Sequence, residues 1–497
     1  MSVLRILVLL AAAANLPAHA KLPVRAAAPE SSIRWQSCLN SGFQRWFEDT
    51  PPPGLRCGYV DAPLIYPESA GQALSDRSET VRLALTLLPA TGPKKGSLVV
   101  IAGGPGLPGI NPQLAADASV ARLRKSYDII GYDPRGVGQS TPKIACQRGE
   151  NDETPSPDDN DLAGAESQVR EMIAACIRQT GAEALQHIGT DEAVNDLNVI
   201  RRALGEPGLT AVAYSYGTKV AALYAERYPK KTRALVLDGV VDLAEDDFAQ
   251  RVNQERAYQQ SFQRFAAYCG KTGSCPLSAD ANQALQSYHA MLRQLHERPF
   301  VTQDGYEISA DDVITATRSL LPWPERWHEL ATLVRQINAG IAGRQVADLI
   351  DESYSPDADD ALNVITCADV ADPGADPQRL RRQRQEVNTA ALFSHYLPLH
   401  EYPLEMCDLW PYRGKDRPHA AVASPSLPPL LFVGQRYDPA TPYRNAQAMA
   451  ARFKSPLITR ERDGHTLVLN GIDRCVDESV VDYLLAPKKP RRDKVCR

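Results

Sequence analysis

Apolar and polar positions along the chain follow two rhythms. From about Val81, short apolar runs alternate with amphipathic stretches. The runs are Val81–Leu88, Ser97–Ala102, Tyr127–Tyr132, Thr210–Tyr214, Arg233–Asp238, Leu430–Val433 and Leu457–Arg460. Most are rich in Val, Leu and Ile with little alternation, the pattern of strands covered on both faces. Between them, Asp191–Leu204 reads as a helix. Thr190 is its expected N-cap, Val194, Leu197, Ile200 and Leu204 form an apolar stripe, and Gly205 stops it. Strands alternating with helices predict an α/β fold with a mostly parallel sheet.

The second rhythm occupies 243–424. Helical patterns replace strands there, as in Phe248–Ala267, Ala281–Glu297 and Arg326–Ile341, separated by proline-rich joints. Because apolar runs resume afterwards, this stretch is expected to be a helical cap inserted into one sheet. The expected division is a leader over 1–20, a first core part over 21–242, the cap over 243–424 and a second core part over 425–497.

The first twenty residues change the picture further. Arg5, an apolar core from Ile6 to Leu16 and the small-x-small triplet Ala18-His19-Ala20 are the pattern of a cleaved secretory leader. No later apolar run is long enough to span a bilayer, which needs about 20 residues. The chain is therefore expected to be exported, periplasmic or extracellular. In that setting its 10 cysteines favour disulfides over metal or redox work. Their number does not fix connectivity. Closing each to its sequence neighbour gives Cys38–Cys57, Cys146–Cys176, Cys269–Cys275, Cys367–Cys407 and Cys475–Cys496. A net charge of −5 argues against a nucleic-acid partner, and the acidic run Asn151–Asp161 reads as a solvated loop. No zinc helix, Walker loop or dinucleotide fingerprint is present, so no metal or cofactor is expected.

The chemistry gathers at run ends. Ala213-Tyr214-Ser215-Tyr216-Gly217 closes a strand and opens a helix, the setting of a nucleophile elbow with small residues two places to either side. A serine hydroxyl needs a base, and the base needs an orienting carboxylate. In this topology acid and histidine follow in that order, after later strands. Asp438 follows Leu430–Val433, and His465, preceded by Gly464, follows Leu457–Arg460. An acyl-enzyme route also needs oxyanion donors. Gly103-Gly104-Pro105-Gly106 follows the run Ser97–Ala102; Pro105 has no N–H, so the backbone N–H of Gly104 is expected to act with that of Tyr216.

Taken together, these pieces resemble the secreted α/β-hydrolase serine peptidases of the tripeptidyl aminopeptidase type, relatives of proline iminopeptidase. The matching residues are Gly103 to Gly106, Asp133-Pro134-Arg135-Gly136-Val137-Gly138-Gln139-Ser140, Ser215 to Thr218, Asp438-Pro439 with Thr441-Pro442, Gly464-His465, and Cys475 with Cys496. The resemblance implies an α/β-hydrolase fold, a Ser215, Asp438 and His465 triad, a cap restricting access, and release of short peptides or single residues from a free N-terminus. Ala102 stands where proline iminopeptidases have histidine, which leans towards the tripeptidyl branch. An aminopeptidase must also meet the substrate ammonium with a carboxylate. Candidates are Asp242, Glu245, Asp246 and Asp247 near the base of the expected cap, with Glu401 and Glu405 from its far end. Tyr214 and Tyr216 either wall the substrate pocket or pack. The competing readings are an exported esterase or lipase, an endopeptidase on the same triad, and an inactive hydrolase-fold binding module.

Overall fold

The computed structural model describes residues 33–40, 43, 51–67, 79–111, 118–146, 161–273, 275–397 and 401–497. The expected leader and most of the acidic run lie outside them. Among the described residues there are twelve strands: β1 (Gln36–Ser37), β2 (Arg56–Pro63), β3 (Thr80–Leu88), β4 (Gly96–Ile101), β5 (Tyr127–Tyr132), β6 (Leu209–Tyr214), β7 (Thr232–Asp238), β8 (Phe300–Val301), β9 (Glu307–Ile308), β10 (Leu431–Tyr437), β11 (Leu457–Asp463) and β12 (Lys494–Cys496). Ten of them form one sheet in the order β1-β2-β3-β5-β4-β6-β7-β10-β11-β12. Pairing is antiparallel from β1 through β3 to β5 and parallel from β5 to β12.

The apolar runs lack alternation because both faces are covered. In β4, Val99 and Ile101 join the core under the helices Thr190–Ala203 and Tyr216–Arg227. Leu98 and Val100 enter the opposite core, beneath Ala118–Leu123 and Arg474–Leu485. Adjacent residues thus serve different layers.

The regular elements described between β7 and β10 are helices apart from the hairpin β8–β9, a pairing the sequence reading did not anticipate. They pack in two places. Phe262, Phe265, Tyr288, Leu292, Trp327 and Leu330 belong to a core of their own, with Phe262 stacked on Phe393 at 5.2 Å. Ala361, Val364, Ile365 and Trp410 instead share a core with Val137, Ile144 and Ile173 of the sheet's flank. The insertion therefore both forms its own body and roots itself on the sheet.

Two local expectations differ in detail. Thr190 is the first helical residue rather than the cap; Gly189 occupies that position with extended backbone and no side-chain cap. Thr190 is drawn inward because its hydroxyl donates to Asp369. The pairing of all ten cysteines follows sequence neighbours: Cys38–Cys57, Cys146–Cys176, Cys269–Cys275, Cys367–Cys407 and Cys475–Cys496.

Candidate active site

All the expected reactive residues except the cap acids lie at the carboxyl ends of the parallel strands, the edge where open α/β sheets place their sites. Ser215 sits between β6 and the helix Tyr216–Arg227 with φ 51° and ψ −126°. A non-glycine residue rarely holds positive φ, and the surrounding bonds must enforce it. The Ser215 N–H donates to Asp238 O at 2.8 Å, and its carbonyl accepts from the Thr218 N–H and hydroxyl at 2.8 and 2.6 Å. Thr218 Oγ1 in turn accepts from Val241 N–H at 3.0 Å. The turn also explains its small neighbours. A Cβ at Gly217 would lie 2.4 Å from Ala102 O, and one at Gly103 would lie 3.0 Å from Ser215 Cβ.

Asp438 and His465 meet beyond β10 and β11. The imidazole Nδ1 lies 2.9 and 3.0 Å from the two carboxylate oxygens of Asp438. The remaining capacity of that carboxylate is filled by the N–H groups of Ala440 and Thr441 at 2.9 Å and by the Thr441 hydroxyl at 3.0 Å. Both residues are buried. Burial alone would lower the His465 pKa, but the charge and hydrogen bond of Asp438, with a further contribution from Asp238, hold it above its usual value. An imidazole so held with Nδ1 occupied has Nε2 left to accept a proton.

A family profile described as the alpha/beta hydrolase fold matches residues 96–471. The chain is 44% identical to YuaR of Escherichia coli (strain K12), over 92% of this chain and 91% of that protein. It is 32% identical to serine protease Hip1 of Mycobacterium tuberculosis (strain ATCC 25618 / H37Rv), over 93% and 91%. It is 27% identical to tripeptidyl aminopeptidase of Streptomyces lividans, over 95% and 88%. The chain belongs to the α/β-hydrolase fold family. It is a serine hydrolase.

One residue of the hydrolase escaped sequence reasoning. Asp238, the last residue of β7, is fully buried, and its Oδ2 accepts the N–H groups of Leu467 and Val468 at 2.7 and 2.8 Å. Its backbone carbonyl holds Ser215, as described above. The next residue, Gly239, lies under the imidazole: a Cβ there would come 2.8 Å from His465 Cε1. Asp238 therefore ties the serine turn to the histidine loop. Its Oδ1 is buried without a hydrogen-bond partner among the described residues, and burial pushes its pKa up to about 6 despite the two N–H bonds. The only sequence signal was a carboxylate ending an otherwise apolar run.

Gly104 has φ +103° and turns back on its own loop, where its missing Cβ would meet Gly106 N at 2.8 Å. Neither its N–H nor that of Tyr216 has a partner among the described residues. For Tyr216 this follows from its place as the first helical residue. Both tyrosines beside Ser215 are tethered. Tyr214 donates to Val468 O at 2.9 Å, and the Tyr216 hydroxyl lies 2.6 Å from Thr190 Oγ1. The Asp133–Ser140 motif serves architecture. Asp133 accepts the N–H groups of Ile110 and Gln139 at 3.1 and 2.9 Å, and buried Arg135 forms a two-pronged pair with Asp196 at 2.7 and 2.6 Å.

The inserted helices touch each reactive loop. His465 N–H donates to Pro322 O at 3.0 Å, Gln254 Nε2 donates to Ala440 O at 2.7 Å, and Arg264 pairs with Asp463. A Cβ at Gly106 would lie 2.7 Å from Leu362 N. Of the acids expected to receive an amine, Asp246 caps the helix Asp247–Thr272, and Glu401 is exposed. Glu245 Oε1 binds Asn253 at 2.8 Å and Arg444 at 2.9 Å, while its Oε2 is buried without a partner. A cavity of about 440 Å³ opens beside Asp247, Arg384 and Asp416, but Ser215, Asp438 and His465 do not line it. Asp473 lies near Cys475 and Cys496; those sulfurs are bonded to each other, and Asp473 pairs with Arg460, so the group has no thiolate to offer a metal.

Proposed function

We propose that the hydrolase is an exported aminopeptidase that releases short peptides from a free N-terminus through an acyl-enzyme. Ser215 Oγ attacks the scissile carbonyl, and His465 takes its proton and delivers it to the leaving amine. Asp438 orients the ring and stabilises its charged form, while Asp238 keeps serine turn and histidine loop in register. The N–H groups of Gly104 and Tyr216 receive the developing oxyanion. Water then repeats the sequence on the ester. The residues over 243–424 act as a cap, and Glu245 at its base meets the substrate ammonium.

The observations that support the chemistry best are the buried Asp438–His465 pair and a serine held at positive φ, with the serine turn and the histidine loop both bonded to Asp238. Peptide substrates are supported by the peptidase names of two relatives. Export is supported by five disulfides; no helix among the described residues is long and apolar enough to cross a membrane. The test is a panel of peptide p-nitroanilides with free and blocked N-termini beside p-nitrophenyl esters. An aminopeptidase loses turnover when the amine is blocked. Equal turnover of blocked peptides points to an endopeptidase, and turnover of esters alone to an esterase.

A further inference from the structure

The lysines of this chain are few and unevenly placed. Of 14, nine lie where the parallel strands begin. Lys94 and Lys95 lead into β4, Lys125 into β5, Lys230 and Lys231 into β7, Lys454 into β11, and Lys488 and Lys489 into β12, whose first residue is Lys494. Parallel strands begin on one edge of the sheet and end on the other. These lysines therefore share the edge opposite Ser215, Asp438 and His465. The edge crosses seven strands from β5 to β12, roughly 29 Å at the usual spacing between neighbours.

All nine are exposed. Lys94 pairs with Asp128 at 2.7 Å, and Lys494 Nζ reaches Ser479 Oγ at 2.7 Å. The other seven ammonium groups have no side-chain partner among the described residues. At the β10–β12 end, Lys454, Lys488, Lys489 and Arg491 line a groove of about 410 Å³. Among the described residues, acids on the edge besides Asp128 are Glu206, Glu226, which holds His419, Asp482, which lies 3.6 Å from Arg122, and Asp493, whose Oδ1 is held by Leu457 N–H. The contrast with the inserted stretch is large. Residues 239–430 carry 27 acids against 17 Lys and Arg, a formal charge of −10. A chain of net −5 thus has one strongly cationic edge.

Helix dipoles account for only part of this: Lys230 and Lys231 lie in the last turn of the short 3-10 helix Pro229–Lys231, and Lys125 and Lys454 each lie two residues past a helix end. Cations favoured by a helix C-terminus sit in its last turn, whereas Lys94 and Lys95 follow a strand and Lys488 and Lys489 lie beyond the end of Arg474–Leu485. The choice of lysine is also informative. Arginine recognises a fixed phosphate through its planar fork, while the lysine ammonium is a flexible, hydrated point charge. A broad row of lysines suits a fluid layer of phosphate headgroups better than one ordered phosphate. The groove offers no ring for base stacking, since its one aromatic, Tyr483, is buried under Arg491. Screening over about 8–10 Å prevents the acidic insertion from opposing contact at the far edge.

We propose that this edge docks the hydrolase on an anionic lipid surface, with the catalytic edge facing away into solution. The inference is independent of the peptidase reading. Cosedimentation with phosphatidylcholine vesicles, with and without phosphatidylglycerol, tests it at low and high salt. Binding is expected only to the phosphatidylglycerol vesicles and only at low salt. The K454Q/K488Q/K489Q variant should bind roughly 100-fold more weakly with unchanged turnover of a p-nitrophenyl ester, which also reports that it is folded. No binding to anionic vesicles, or equal binding by the variant, overturns the proposal. So does full competition by millimolar inorganic phosphate, which would mark a discrete phosphate site. Tighter binding to an oligonucleotide than to vesicles would assign the edge to nucleic acid instead.

Discussion

The sheet and the helices inserted between β7 and β10 meet the same loops from opposite sides. The sheet supplies Ser215, Asp238, Asp438 and His465 at its strand ends, each held by bonds to neighbouring strand ends. The insertion supplies none of these groups, yet Pro322, Gln254, Arg264 and Leu362 press on the loops that carry them. The difference teaches a division of labour. On the proposed mechanism, the groups that would exchange protons are fixed by the most buried part of the fold, and the layer that would decide what reaches them has a core of its own.

Changes in the sheet should act on the chemical step, and changes in the insertion on substrate binding. The largest effect is expected from Ser215→Ala, a loss in kcat of roughly 10⁴–10⁶-fold with an unchanged fold. Fluorophosphonate labelling should vanish with it; surviving turnover in pure protein would remove Ser215 from the mechanism. Arg135→Ala should cost about 3–5 kcal/mol, because it leaves the buried Asp196 carboxylate without its cation and with only the Tyr66 hydroxyl. A shifted urea midpoint would report this, with activity per folded molecule retained.

Asp238→Asn sharpens the sheet's role. The ionised carboxylate helps to hold the His465 pKa up, so removing its charge lowers that pKa. The base must be neutral to act, and the acid limb of kcat/KM should therefore move to lower pH. A limb that stays in place would reduce Asp238 to packing. Glu245→Gln should raise KM for peptides with a free amine by about tenfold, a size suited to one charged hydrogen bond, and leave esters untouched. The smallest effect belongs to Arg264→Ala. Its pair with Asp463 is partly exposed, and stability should fall by less than about 1 kcal/mol, while KM changes more than kcat. A kcat loss as large as that of a sheet variant would erase the division between the two regions.

Much of the sheet was legible because burial on both faces leaves long apolar runs, as in β4 and β5. β2 was not, since Arg56 and Asp61 face solvent and interrupt its pattern, and three-residue β12 is too short to show one. Ser215 was legible through its turn, and Asp438 and His465 through their place after strands. Asp238 was hidden because its work depends on Leu467 and Val468, over two hundred residues away in sequence. The fate of the cap acids divides: Asp246 caps its helix through Ala249, a local contact of a preferred N-cap residue, whereas nothing local in the sequence shows that Arg444 reaches Glu245. The lysine row becomes visible only once strand direction is known.

β7 and β10 are hydrogen-bonded neighbours, with Val236 opposite Leu431. The chain leaves the sheet at one slot and returns to the next after 192 residues between Asp238 and Leu431. Each disulfide closes within 40 residues or fewer, and none bridges this gap. Joining the two halves of the sheet is thus the longest-range strand pairing of the fold and relies on noncovalent contacts alone. Contacts of such high sequence separation form slowly. The strands up to β7 can pair as soon as they emerge, but Asp438 and His465 arrive only after the whole excursion has been made. Activity should therefore be the last property a refolding chain recovers, well after its helices.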